Sequence, residues 1–179
     1  MKSLEDQMSF YAAYHQDGRN KLTHFVGVPA IIFGLFIALG WLRVELSGVT
    51  LTAAMLLAAV VMAWYFVLDL PLALAMLVVN GALLWLADEI AVQPVKIGAL
   101  WFLLFFGGGW VLQLIGHVFE GRKPALVDNF AQVFVAPIFL AAEVFFALGY
   151  KPELHARVQK RAMEMRAAAA ISAEPRAAH

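Results

Sequence analysis

The sequence predicts an all-α protein, a polytopic bundle of helices embedded in a membrane. Hydrophobic residues make up 63% of the 179-residue chain and charged residues only 15%, whereas soluble domains are closer to half apolar and a quarter charged. The apolar residues also form long blocks rather than recurring on one face of each helix, so these segments lack a polar face for water. The two observations exclude an ordinary soluble domain.

Four charge-free blocks predict transmembrane helices, because at about 1.5 Å rise per residue they approach the ~30 Å thickness of the hydrocarbon layer. The blocks are Phe25–Leu42, Val49–Leu68, Leu72–Ala87 and Ile97–Ile115. Asp69 and Pro71 are typical of a tight turn ahead of the third block, which is the shortest. The fourth block contains Gly107, Gly108 and Gly109, and glycines permit close contact between helices in a bilayer.

A fifth apolar block, Phe130–Leu148, contains Pro137 and Glu143, and the placement of charge decides how to interpret it. With four spans, eleven of the 13 Lys and Arg residues lie on one side of the membrane, and Arg43 and Lys96 on the other; a fifth crossing makes the ratio five to eight. Because Lys and Arg collect on the cytoplasmic side, we expect four transmembrane helices plus a re-entrant or interfacial fifth segment. Both termini are then cytoplasmic.

The chain is expected to form one membrane-embedded domain over residues 1–150, including an N-terminal histidine-bearing segment, followed by a polar, partly disordered cytoplasmic tail over 151–179. The N-terminus lacks the apolar core of a cleavable signal peptide. We expect an integral protein of the bacterial inner membrane or of the endoplasmic reticulum. A formal net charge of zero argues against a nucleic-acid partner, and the absence of cysteine excludes disulfides and thiolate catalysis.

Polar residues gather against the membrane in two places, residues 11–24 before the first span and residues 113–126 at the end of the fourth. The predicted topology puts both clusters on the same side, so His15, His24 and His117 can converge. Three imidazoles without cysteine suit a borderline divalent metal such as iron or zinc. Ionisable groups at such depth are costly and usually functional.

Other side chains near these clusters have both functional and purely structural interpretations. Gln113 and Glu120 share a helix face with His117, so they can reach the same target. Glu120 or Asp128 is a candidate further ligand or a partner that orients an imidazole. Glu143 is interpreted either as buried against Arg122 or as supporting the metal site.

The structural alternative applies to the histidines as well, because a histidine near a helix end is more often a cap or a satisfied core group than a ligand. Asn20 can equally cap the first span, and Tyr11 and Tyr14 can be interfacial anchors. His155 lies in the charged tail and His179 ends the chain, so we expect both to be solvated.

The order and spacing of these motifs resemble the membrane 2-hydroxy fatty acid dioxygenases over about residues 8 to 150. The resemblance rests on Tyr14-His15 with Asn20, His24 and Val28-Pro29, on Gln113-Leu-Ile-Gly116-His117 with Phe119-Glu120 and Pro124-Ala125-Leu126, and on Asp128-Asn129 with Ala136-Pro137 and Glu143. It implies an enzyme that uses Fe(2+) and O2 to shorten long-chain 2-hydroxy fatty acids by one carbon, with histidines as the metal-binding residues. Gln16 stands where some members have a second histidine.

On this interpretation His15, His24 and His117 are the expected metal ligands, and Glu120, Asn20 and Arg122 the expected catalytic residues. The acyl chain lies among the spans, and its carboxylate reaches a cationic group at the surface, Arg19, Lys21, Arg122 or Lys123. A haem protein, another metal-binding membrane protein or a small transporter remain alternatives, although a transporter would carry polar residues within its spans. The sequence leaves the oligomeric state open.

Overall fold

The computed structural model describes residues 3 to 173 as a helical bundle with one β-hairpin. In chain order its helices and strands are α1 (Leu4–Ala12), α2 (Gly18–Gly40), β1 (Arg43–Leu46), β2 (Val49–Thr52), α3 (Ala53–Leu68), α4 (Leu70–Ala91), α5 (Val95–Phe102), a π-helical turn (Leu103–Gly107), α6 (Gly108–Glu120), α7 (Ala125–Asp128), α8 (Gln132–Ala147) and α9 (Pro152–Ala173). The predicted helical architecture is confirmed in this part of the chain.

Three helices are long and apolar enough to cross a membrane: Gly18–Gly40, Leu70–Ala91 and Val95–Glu120, the last of which joins α5 to α6 through the π-helical turn. Helices α3 and α8 are apolar but have 16 residues each, so each is about 24 Å long. The three long helices characterise a membrane protein.

The second apolar block does not begin as a helix at Val49, contrary to the sequence-based expectation, and the fold is therefore not purely α-helical. Residues 49–52 pair antiparallel with residues 43–46 in a hairpin. Ser47 and Gly48, with φ of 51° and 84°, form the two-residue turn that matches strand twist. Thr52 then accepts a hydrogen bond from the Met55 amide at 3.2 Å and caps α3.

Helices α2 and α6 cross closely because glycines face the partner helix at the crossing. A Cβ on Gly27 would lie 3.0 Å from the Gly109 carbonyl oxygen, and one on Gly34 would lie 2.7 Å from the Phe106 amide. Further along the crossing, Gly116 packs against side chains at the beginning of α2. This small-residue contact brings the end of α6 against the beginning of α2.

Contacts between elements show which ends of the helices meet. At one end of the bundle Arg43 pairs with Asp88 at 3.1 Å, so the hairpin and the end of α4 lie together. At the other end, Asp69 between α3 and α4 accepts a hydrogen bond from Lys151 at 2.6 Å. Helix α3 therefore runs from the hairpin end of the bundle to the end that contains the C-terminal helix.

Helix α8 makes contacts at both of its ends with the end of the bundle that contains α1. Gln132 at its beginning donates a hydrogen bond to Gln7 at 3.4 Å. Glu143 near its end pairs at 2.6 Å with Lys21 in the first turns of α2. Most of the tail is the helix α9, which packs along α1 with Val158 and Ala162 fully buried. The end of the tail expected to be disordered, residues 174–179, lies outside the described residues.

Candidate metal centre

The three histidines predicted as ligands lie together and buried. The ring centroids of His15, His24 and His117 are 4.5 to 5.1 Å apart, and one nitrogen of each lies within 4.8 Å of the others. At most 7% of any of these residues is exposed. Among residues 3 to 173 this is the group of histidine and carboxylate side chains whose geometry suits a metal ion.

Backbone carbonyls fix the tautomer of two of the rings. The Nδ1 atoms of His15 and His24 lie 2.8 Å from the carbonyl oxygens of Tyr11 and Asn20, each four residues earlier in the chain. A carbonyl only accepts, so each Nδ1 is protonated and donates. The Tyr11 ring also stacks on His15, with centroids 4.0 Å apart. Both imidazoles are thereby held in one orientation with Nε2 facing the cluster.

The Nε2 atoms of His15 and His24 lie 3.0 Å apart. The protonation of the rings indicates what can bind between them. Burial, followed by the nearby His24, lowers the pKa of His15 well below its usual range, so this ring is neutral at pH 7. With Nδ1 protonated, a neutral ring carries a lone pair on Nε2. Two lone pairs aimed at each other are repulsive unless a cation lies between them.

The distances and the third histidine fit a metal ion. Two nitrogens each ~2.1 Å from one ion are about 3.0 Å apart when they subtend a right angle, which is the separation seen here. Nδ1 of His117 is buried and has no hydrogen-bond partner among the described residues. An orphaned imidazole nitrogen beside two unprotonated ones is the donor set of a histidine-bound metal.

The histidines line one end of a cavity of about 120 Å³, here called the histidine cavity. This is many times the roughly 10–15 Å³ that one water needs. From His24 the cavity follows α2 to Phe36, about 18 Å along the helix axis. Its far end is lined by apolar residues that include Leu57 and Ala58 of α3. The cavity therefore joins a polar end to a long apolar channel.

Two glutamine side chains add polar groups to this cavity. Gln113 and Gln132 line it and are 6% and 2% exposed. Nε2 of Gln113 and Oε1 of Gln132 are buried without a partner among residues 3 to 173. Unsatisfied buried polar atoms are costly, and beside the histidine cluster they are available for the polar part of a bound molecule.

Glu120, predicted as catalytic, accepts four hydrogen bonds in this structure. Its Oε2 accepts from the Gln16 and Asp17 amides at 2.9 and 2.8 Å and from Asn20 Nδ2 at 3.1 Å. Its Oε1 accepts from Arg166 Nη1 at 2.6 Å. An ionised carboxylate has about four acceptor positions, so these donors occupy it. The carboxylate joins the end of α6 to the segment that contains His15.

Asn20, also predicted as catalytic, is fully buried between Glu120 and His24. Its Nδ2 donates to Glu120 at 3.1 Å and to the Tyr14 carbonyl at 3.3 Å, and its own carbonyl accepts from His24. Its Oδ1 is buried without a partner among the described residues. These contacts make Asn20 a link between the carboxylate of Glu120 and the ring of His24.

Arg122, the third predicted catalytic residue, lines a second cavity beside the histidine cavity. Its Nη1 donates to the Ala13 carbonyl at 3.1 Å, and its guanidinium lies 5.8 Å from the Tyr14 ring. Tyr14 in turn donates to Asp128 at 2.6 Å, and burial together with this carboxylate raises the pKa of Tyr14 to about 12. A hydrogen bond from Lys123 lowers the pKa of Asp128.

The remaining cations considered for a substrate carboxylate have other partners. Arg19 pairs with Asp17 at 2.8 Å, and Lys21 pairs with Glu143 at 2.6 Å. The partner of Glu143 is thus a lysine of α2 rather than Arg122. The tail residue His155 stacks on Phe146, with centroids 4.7 Å apart, and is not part of the histidine cluster.

Sequence reasoning missed Arg166, whose guanidinium pairs with Glu120 and also donates to the Ala13 carbonyl at 3.2 Å. It follows Glu120 by 46 residues in an alanine-rich segment expected to be a tail. No local motif pairs the two residues. A basic side chain at the beginning of an alanine-rich stretch was the available signal.

A family model described as 2-hydroxy-palmitic acid dioxygenase Mpo1-like matches residues 1–148. A curated protein of Saccharomyces cerevisiae (strain ATCC 204508 / S288c), named 2-hydroxy-palmitic acid dioxygenase MPO1, is 36% identical over 159 residues, which cover 87% of this chain and 87% of the relative. No solved structure matches the chain.

Proposed function

Because the chain belongs to the Mpo1-like family of 2-hydroxy-palmitic acid dioxygenases, as its motifs predicted, we propose that it is itself a dioxygenase of long-chain 2-hydroxy fatty acids. The proposed reaction depends on Fe(2+) and O2 and shortens the acid by one carbon. The carboxyl carbon leaves as carbon dioxide, the α-carbon becomes the new carboxyl group, and O2 is reduced, with one water formed for each O2 consumed. The substrate class comes from the name of the relative.

The observation that carries the proposal is the position of the three histidines at the polar end of a long apolar cavity. A fatty acid has the same division, a polar head and an apolar chain. The chain can lie along α2 between Val28 and Phe36, where its burial is favourable by about 25 cal/mol per Å². This arrangement leaves the carboxylate and the 2-hydroxyl beside the histidines.

His15, His24 and His117 would hold the iron. When bound, Fe(2+) would activate O2 for the oxidation of the substrate; imidazole is a suitable ligand for iron, and open coordination positions are typical of non-haem oxygenases. Glu120 is fully hydrogen-bonded, so we assign it to positioning the histidine segment rather than to the metal. The amide of Gln113 lines the cavity and is free to bind the substrate head.

Four crossings and cytoplasmic termini form the topology that we propose. Helix α3 connects the two ends of the bundle although it is short, as the contacts of Arg43 and Asp69 indicate. Both ends of α8 meet residues at the end that contains α1, which supports a re-entrant or interfacial α8. The eleven-to-two distribution of Lys and Arg then favours a cytoplasmic position for this end.

The test is a reaction of purified protein, loaded anaerobically with Fe(2+), with O2 and 2-hydroxyhexadecanoate. Mass spectrometry should detect pentadecanoate, and hexadecanoate without the hydroxyl should stay unchanged. A His24→Gln variant is the matched control for adventitious iron chemistry. Iron-loaded wild-type protein that forms no shortened acid from any 2-hydroxy chain length would overturn the proposal.

A further inference from the structure

The segment that contains His15 has no regular secondary structure of its own. Residues 13–17 connect α1 to α2, so the position of the His15 ring depends on hydrogen bonds to this short stretch, here called the His15 turn. Its carbonyl at Ala13 accepts from Arg122 and Arg166 at 3.1 and 3.2 Å. Its amides at Gln16 and Asp17 donate to the carboxylate of Glu120.

Arg166 contacts the His15 turn in two ways, directly at the Ala13 carbonyl and through the carboxylate of Glu120. One nitrogen, Nη1, donates to Glu120 at 2.6 Å and to the Ala13 carbonyl at 3.2 Å. The guanidinium thus holds the turn directly before His15 and, through Glu120, directly after it. The side chain of Glu120 is 1% exposed, and a buried carboxylate without a cation is strongly destabilised.

The rest of α9 is attached to α1 by contacts that do not involve Arg166. Val158 and Ala162 are fully buried, and Arg157 and Arg161 pair with Glu5 and Asp6 on α1. These two surface pairs are more exposed than the pair of Arg166 with Glu120, and exposed pairs contribute little to stability. The buried packing of Val158 and Ala162 therefore attaches α9 to α1 independently of Arg166, whose own contacts are those to the His15 turn and Glu120.

We propose that Arg166 is a positioning residue of the metal centre, through which the C-terminal helix fixes the His15 turn and hence the His15 ring. Residues that orient ligands from outside the coordination sphere change metal affinity by about 10- to 100-fold when they are replaced. The inference rests on the proposed metal site but not on the proposed reaction.

Metal binding rather than turnover tests the inference. The full chain in detergent is titrated with Co(2+), whose visible spectrum reports the ligand geometry, in the wild type, Arg166→Gln and Arg166→Lys. Arg166→Gln should bind Co(2+) about 10- to 100-fold more weakly with an altered spectrum, and Arg166→Lys should recover part of the loss because it keeps the charge. Arg157→Gln and Arg161→Gln make the same change on the same helix and should change the affinity by less than about twofold.

The thermal midpoint of the metal-free variants separates positioning from folding. Metal-free Arg166→Gln should unfold at a lower temperature than Arg157→Gln, because it leaves the Glu120 carboxylate buried without a cation, so Co(2+) affinities are compared well below its midpoint. If Arg166→Gln does not fold at all, the comparison is made with Arg166→Lys, which keeps the charge. Glu120→Gln combined with Arg166→Gln should weaken Co(2+) binding by less than the product of the two single effects, because the two side chains share one contact. Equal affinity of wild type and Arg166→Gln overturns this inference alone, whereas a wild type that does not bind Co(2+) overturns the metal site and the inference together.

Discussion

The Nε2 atoms of His15 and His24 face each other at 3.0 Å, although each ring already donates its Nδ1 proton to a backbone carbonyl. The carbonyls determine which nitrogen is protonated, and so they prepare both rings to bind a cation. The position of His117 at the same cluster adds the third donor. The arrangement makes the metal hypothesis testable one histidine at a time.

Replacing any one of His15, His24 or His117 by Gln should remove most bound iron, because Gln can form hydrogen bonds but binds iron poorly in place of an imidazole. Atomic absorption of protein purified anaerobically measures the loss. His155→Gln should keep normal iron, since His155 stacks on Phe146 away from the cluster. Normal iron content in a folded variant of one of the three would remove that residue from the site.

The convergence of the three histidines was predictable because the four-span topology expected from the sequence places the beginning of the first span and the end of the fourth on one side. The β-hairpin was not predicted, because Val49–Thr52 carries no charge and continues directly into the apolar run that follows, so it was interpreted as part of that helix. The contact between Glu120 and Arg166 joins residues 46 positions apart. Such a contact depends on how α9 packs, which no local sequence pattern encodes.

Gly116→Ala should separate α2 from α6 and disrupt the site. A Cβ at this position would lie 2.2 Å from Thr23 Oγ1 and 2.5 Å from Asn20 Oδ1, and overpacking costs about 1–3 kcal/mol. Gly108→Ala, on the same helix with nothing within 4 Å of the added carbon, should be neutral or stabilising by up to about 1 kcal/mol. Thermal melting and iron content of the two variants, measured together, check the contrast. Equal melting temperatures and equal iron contents of the two variants would show that α2 and α6 can move apart enough to accept the added methyl group.

Gln113→Leu should weaken binding of the 2-hydroxy acid while iron content stays normal. The buried Nε2 has no partner among the described residues, so a bound carboxylate or hydroxyl can accept from it, and a hydrogen bond to a charged group contributes about 1.5–3 kcal/mol. Affinity should therefore fall by at least about tenfold. The control is Gln93→Leu at the opposite end of the bundle, whose side chain is exposed. Unchanged affinity in Gln113→Leu would place the substrate head elsewhere.

The apolar end of the histidine cavity should limit the length of the acyl chain. Ala58 lines that end, so Ala58→Phe would fill part of it and shift the preferred substrate toward shorter 2-hydroxy acids. Ala59 is the next residue of α3 and is exposed, so Ala59→Phe adds the same volume outside the cavity and should leave the preference unchanged. Relative rates on a series of chain lengths provide the measurement. An identical shift in both variants would indicate a general effect on the bundle.

The proposed topology predicts that the hairpin and the C-terminal helix lie on opposite sides of the membrane. The chain contains no cysteine, so single cysteines can be introduced and labelled without background. In intact cells a membrane-impermeant maleimide should label Glu45→Cys in β1, while Lys160→Cys in α9 should react only after permeabilisation. Both positions can react once the label reaches their side of the membrane, because Glu45 is exposed and Lys160 lies on the exposed face of α9. Labelling of Lys160→Cys from outside would make α8 a complete fifth crossing, and it would require the contacts of Gln132 and Glu143 with the α1 end of the bundle to be absent in the membrane.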